Sequence, residues 1–261
     1  AWTQLGTDID GEANNDMFGA EVSMNAAGDR VAIGGYSNDV GGTKVDGGHA
    51  RVYRWTGTAW TQLGVDIDAE AAGDAYALSV SINAAGDRVA IGGPLNDVGG
   101  TKANAGHVRV FSWNGTAWAQ LGTDIDGEVT SDNFGNSVSM NAAGDRVAIG
   151  APGSDIGGAR TDAGRVQIFS WNGTSWTQLG GNIDGEAASD AFGASVSMNA
   201  AGNRVAIGGP SNDVGGTKVN GGHVRVFIGN GTAWTQLGVD IDAEAAGDQY
   251  GSSVSMNAVG D

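Results

Sequence analysis

A chain of 261 residues with 13 Lys+Arg against 30 Asp+Glu carries a formal charge of −17, which opposes binding to a phosphate backbone or an anionic membrane surface and removes nucleic acid from the expected partners. It has 47 Gly, 3 Pro, no Cys and 40% apolar residues, a balance that suits short strands joined by tight turns and admits no disulfide. No apolar run approaches the length of a membrane span, so no membrane insertion is expected of this segment.

Five tryptophans, Trp2, Trp60, Trp118, Trp176 and Trp234, recur every 58 residues in nearly constant text (AWTQLG, AWAQLG, SWTQLG). The chain therefore reads as one array of a multi-element unit whose faces are buried against its neighbours, with repeats over 1–58, 59–116, 117–174, 175–232 and a partial fifth over 233–261. It opens at Ala1-Trp2 within the motif and stops at Val259-Gly260-Asp261 within a turn, and so reads as a piece of a longer array, incomplete at both ends.

In the third copy, Phe134 to Met140 alternates small polar with larger apolar residues and predicts a strand, A. Asn141-Ala142-Ala143-Gly144-Asp145 predicts a turn and Arg146 to Gly150 a second strand, B. A long Gly- and Asp-rich loop follows, then Arg165 to Trp171 as strand C. Asn172-Gly173, repeated at 114–115 and 230–231, predicts a type I′ turn into strand D at Ser175 to Leu179. One face of A and B is bulky (Val138, Met140, Val147, Ile149) and the other small (Ser137, Ser139, Ala148, Gly150). Large against small stacks without voids, which favours an all-β propeller of four-stranded antiparallel meanders over a linear solenoid.

Asp132-Asn133-Phe134-Gly135 before strand A and Gly150-Ala151-Pro152 after strand B resemble the FG-GAP repeat, the blade unit of integrin alpha-chain propellers and of many bacterial surface proteins. Phe-Gly recurs at 18–19 and 192–193, and Gly-Gly-Pro at 92–94 and 208–210. The resemblance implies a propeller used extracellularly or at a cell surface, for adhesion or ligand binding. It does not carry over the family's calcium loop, because the A–B turn reads Asn-Ala-Ala-Gly-Asp and lacks two of the carboxylates that a hard cation needs.

The densest polar cluster is the D-to-A connection. Its acids are Asp8, Asp10, Glu12 and Asp16, then Asp66, Asp68, Glu70 and Asp74, then Asp124, Asp126, Glu128 and Asp132. Asp184, Glu186 and Asp190 follow beside Asn182, and then Asp240, Asp242, Glu244 and Asp248. Each quartet either grips calcium, the one cofactor considered, or forms a solvated rim whose carboxylates accept backbone N–H bonds. His49, His107 and His223 share a repeat position that is Arg165 in the third copy, which points to hydrogen bonding or packing rather than metal ligation. The B–C loop and the Trp55, Trp113 and Trp171 rings offer either sugar contacts or self-packing. Copies this alike present no singular acid, base or nucleophile, so no enzyme is expected. The expected role is a non-catalytic structural or adhesive module whose partner is itself, as an oligomer or filament, or a surface protein or glycan. A lectin-like propeller, assisted by calcium, is the alternative.

Overall fold

The computed structural model describes all 261 residues, and its regular elements are strands only. Strands β1 (Phe18–Met24), β2 (Arg30–Gly35), β3 (His49–Trp55), β4 (Trp60–Gln62) and β5 (Ile67–Asp68) form the first antiparallel sheet. The pattern returns as β6 (Ser79–Ile82), β7 (Arg88–Gly93), β8 (His107–Trp113), β9 (Trp118–Gln120) and β10 (Ile125–Asp126). It returns again as β11 (Ser137–Met140), β12 (Arg146–Ala151), β13 (Arg165–Trp171), β14 (Trp176–Gln178) and β15 (Ile183–Asp184). The last sheet is β16 (Ser195–Met198), β17 (Arg204–Gly209), β18 (His223–Gly229), β19 (Trp234–Gln236) and β20 (Ile241–Asp242). In each blade the fourth strand comes as two short pieces that both pair with the third, so the expected four-stranded meander stands with a break in its outer strand.

The large-on-small stacking is the core. Ala32, Ala50 and Val52 of the first blade receive Val80, Ile82, Val89 and Ile91 of the second. Ala90, Val108 and Val110 then receive Met140, Val147 and Ile149, and Ala148, Val166 and Ile168 receive Met198, Val205 and Ile207. Each Val, Ile or Met among them contributes roughly 1.5–3 kcal/mol when fully buried. Polar contacts repeat with the same period: Met140 N donates to Ser81 Oγ and Met198 N to Ser139 Oγ, both at 2.9 Å. Arg88 Nη1 donates to Gly144 O and Arg146 Nη1 to Gly202 O, both at 2.9 Å. Consecutive A strands thereby converge on one axis, as in a propeller.

Two local expectations change, and the first and last segments differ from their counterparts in the other copies. The Asn-Gly connection is not a type I′ turn, because Gly115, Gly173 and Gly231 have positive φ but their asparagines do not. Instead Asn172 Oδ1 accepts from the backbone N–H of Thr174 and of Ser175, both at 2.9 Å, so the side chain organises a longer turn. Strand A of the third copy starts at Ser137 rather than Phe134, since Asn133 and Gly135 take positive φ and turn Phe134 into the core. The segments at 2–5 and 252–256 are not regular strands, because neither has a strand beside it in its own blade, although Met256 N still donates to Ser197 Oγ at 3.0 Å.

Candidate functional site

Strand C of each blade begins beside the break in strand D, and this register builds a charged cluster. In the first blade His49 lies opposite Asp68 and Ala50 opposite Ile67. Arg51, two residues on, reaches Asp66 in the break, with Nε 3.1 Å from Oδ1, and also pairs with Glu12 of the preceding connection. His49 Nδ1 is 3.6 Å from Asp66 Oδ2. His107 and His223 stand 3.9 and 3.7 Å from Asp124 and Asp240 in the same way. Glu12, His49 and Asp66 place one ligand atom each within 4.8 Å of one another, as do Glu70, His107 and Asp124, and Glu186, His223 and Asp240.

The imidazoles are buried to 1% exposure, not at the surface. Burial pushes the pKa of all three down, that of His107 to about 4, so each ring is neutral at pH 7. Nε2 makes no hydrogen bond, which leaves Nδ1 as the nitrogen turned to the carboxylates. In each of these clusters one guanidinium faces the two carboxylates it pairs with (Arg51 with Glu12 and Asp66, for example), leaving a charge of about −1. Asp68 and Asp126 register it: burial, and then repulsion from Asp66 and Asp124, raise their pKa above the ordinary carboxylate value.

The third blade rebuilds the same place. Arg165 stands where the others have His, Gln167 where they have Arg, Asn182 where they have the paired Asp, and Ala151 where they have Gly35, Gly93 and Gly209. The four changes are one change in physical terms. A Cβ on Gly93 would meet His107 Nε2 and Cδ2 at 3.0 Å and Tyr76 Cδ2 at 3.1 Å, so alanine there requires the imidazole to shift and is best accommodated where the imidazole is gone. Arg165 instead bonds Asp184 at 2.7 Å and pairs with Glu128 at 3.4 Å, while Gln167 Nε2 reaches Glu128 at 3.3 Å. The arginine of the third copy therefore says nothing against ligation by the other three histidines, because it belongs to a differently built site. Gly93→Ala alone is expected to cost about 1–3 kcal/mol. The penalty should vanish when His107→Arg, Arg109→Gln and Asp124→Asn accompany it, as read from urea denaturation of the single and quadruple variants.

The acids of one connection do not act together. Asp16, Asp74, Asp132, Asp190 and Asp248 accept turn N–H groups, Asp74 Oδ2 from Ala71 N at 2.9 Å among them, and so take the rim role. Asp8 accepts from Gln4 Nε2 at 2.7 Å, and Asp10 and Glu244 join no cluster. The grouping that does form takes Glu12 from one connection and Asp66 from the next. Asp242 repeats the place of Asp68 opposite His223.

The B–C loop is self-packed: Lys44 Nζ donates to Ala69 O at 2.6 Å, Asp46 N to Asp39 Oδ1 at 3.0 Å, and Asn38 Nδ2 to Asp16 at 3.2 Å. The tryptophans pair within hairpins at 5.5 Å between ring centroids, and Trp118 Nε1 donates to Leu63 O of the previous blade at 2.8 Å.

The FG-GAP repeat family matches residues 123–169, as its motifs there imply. No curated protein is similar to the chain in sequence. Among solved structures it is similar to the periplasmic gluconolactonase of Pseudomonas aeruginosa, with 13% identity and a TM-score of 0.56 over 88% of this chain. The chain spans 58% of that protein's length. The likeness shows the propeller fold, and it corrects two expectations. An enzyme is built on this fold, so repetition gives no ground for excluding catalysis, and nothing in the fold or the comparisons shows adhesion or a purely structural or lectin-like role. The premise behind the first was that the copies hold no singular group, and at the axis that premise fails, because Glu21 replaces a serine that the other four copies share.

Proposed function

We propose that this chain is a cation-binding segment of a propeller in an exported protein, holding one divalent ion at each of three blade junctions. The observation that carries the reading is the neutral imidazole set against under-neutralised carboxylates in the same three places. His49, Glu12 and Asp66 would hold the ion at the first junction, His107, Glu70 and Asp124 at the second, and His223, Glu186 and Asp240 at the last. Arg51 and its counterparts occupy part of this space by pairing with the same acids, so binding requires the guanidinium to give up at least one of them. Calcium, the ion considered from sequence, prefers an all-oxygen shell, whereas one imidazole with two carboxylates suits a borderline ion such as zinc. When bound, such an ion supplies a Lewis acid with positions open to water. The FG-GAP repeat and the periplasmic location named for the structural neighbour support export, and that neighbour's name makes a lactone the first substrate to assay on the loaded chain.

Equilibrium dialysis against zinc, then calcium, followed by elemental analysis tests the reading. Three zinc ions per chain, falling to two in His107→Gln, are expected. Binding below one ion per chain, or a stoichiometry unchanged by that substitution, would sink it.

A further inference from the structure

The propeller axis holds a second and independent feature. A cavity of about 210 Å³ is lined by the same three repeat positions from successive copies. The first position contributes Glu21, Ser79, Ser137, Ser195 and Ser253, and the residue before it contributes Leu78, Asn136, Ala194 and Ser252. The third position is valine in every copy, and Val138, Val196 and Val254 line the cavity as well. The copies thus diverge where their strands meet around the axis, and stay alike where they pack on one another.

The hydrogen bonds fix the polarity of this cavity. Ser79 Oγ donates to Gly135 O at 2.7 Å, Ser137 Oγ to Gly193 O at 2.8 Å and Ser195 Oγ to Gly251 O at 2.7 Å. A hydroxyl has one proton, so these three oxygens keep only lone pairs to offer. Asn136 Nδ2 donates one of its two N–H groups to Ala194 O at 3.3 Å, which leaves Oδ1 and the second N–H open, and Ser252 Oγ donates to Gln249 O at 2.7 Å. Ser253 alone retains a hydroxyl proton free to turn. Glu21 makes no ion pair and no hydrogen bond to another side chain, and its place at the first junction lacks the serine–carbonyl stitch of the others. The lining thus combines apolar Leu78 and valine side chains with several acceptor oxygens and one exposed carboxylate that has no side-chain partner, and it suits a ligand with a short apolar stem, N–H donors and positive charge.

We propose that the axial cavity binds a small primary ammonium compound, with Glu21 as its counter-ion and the serine oxygens and Asn136 Oδ1 as acceptors for its three N–H groups. The volume suits a chain of a few carbons rather than a drug-sized molecule. Glu21 remains exposed on the cavity side, and the neighbouring walls still raise its pKa through desolvation. The charge of −17 draws cations towards the axis.

The chain itself supplies the control. Serine occupies the Glu21 position in four copies, so Glu21→Ser replaces the residue with the one the fold already accepts there. Calorimetric titration of the 261-residue chain with 1,4-diaminobutane and with methylammonium, at fixed ionic strength and with a chelator present, isolates the axis from the histidine clusters. Saturable binding of one equivalent is expected, weakened at least tenfold in Glu21→Ser and in Glu21→Gln, with circular dichroism unchanged. Undiminished binding in Glu21→Ser, absence of saturable binding, or displacement by potassium as effective as by the amine would each overturn the proposal.

Discussion

Phe192→Ala is expected to destabilise the protein by about 3–5 kcal/mol, and Tyr250→Ala, at the same repeat position, by less than about 1 kcal/mol. Phe192 is 0% exposed and Tyr250 45% exposed, although their local sequences are nearly alike. The Phe192 ring fills the space between the third and fourth blades, edge-on to His223 at 5.9 Å and to Phe227 at 6.4 Å, with the Arg225 guanidinium 5.4 Å above it. Its backbone is tied as well, Phe192 N donating to Ala163 O at 3.0 Å. Deleting the ring leaves a cavity at a junction that three elements share, and it removes a cation–π contact. Urea denaturation of the two variants side by side checks the difference. Equal losses would mean that the ring acts through local turn conformation and not through the junction.

Acid is the second large lever. His107 is held near pKa 4 by burial, and His49 and His223 are depressed for the same first reason. The unfolded chain binds these protons more readily than the folded one. Their contribution is thus intact above the unfolded pKa of 6.5 and is lost as pH falls from there towards 4. For His107 alone, at about 1.36 kcal/mol per unit, the loss is on the order of 3 kcal/mol. Asp68 and Asp126, with raised pKa values, act in the opposite sense once they begin to take up protons at lower pH. Stability from urea unfolding should therefore fall steeply between pH 7 and pH 5. The quadruple variant that gives the second blade the third blade's residues should fall less. A flat profile over that range would show that the rings are protonated in the folded protein.

Much of the architecture was legible because it rests on local chemistry repeated five times. Alternation in Ser137 to Met140 and Arg146 to Gly150, and the contrast between their faces, led directly to the blade and its stacking. The candidate site was not, and the reason is physical. Sequence groups Asp8, Asp10, Glu12 and Asp16 because they are neighbours, but the break after β4 sends Asp66 towards Arg51 and His49 while the preceding connection delivers Glu12 to the same place. The cluster straddles two repeats, and proximity in the chain conceals it. A signal existed in the joint departure of Ala151, Arg165, Gln167 and Asn182, which marks four positions as one site. Taken alone, Arg165 conceals that the four positions change together. The Asn-Gly turns misled for a similar reason, because Asn172 acts through its side chain and not through its φ.

Zinc-soaked crystals measured at the zinc absorption edge test the cation account most directly. Three anomalous peaks are expected, each between a histidine Nδ1 and the two carboxylates beside it, at His49, His107 and His223, with none at Arg165. Peaks confined to the turn-capping acids such as Asp74 and Asp132, or an equal peak at Arg165, would contradict it.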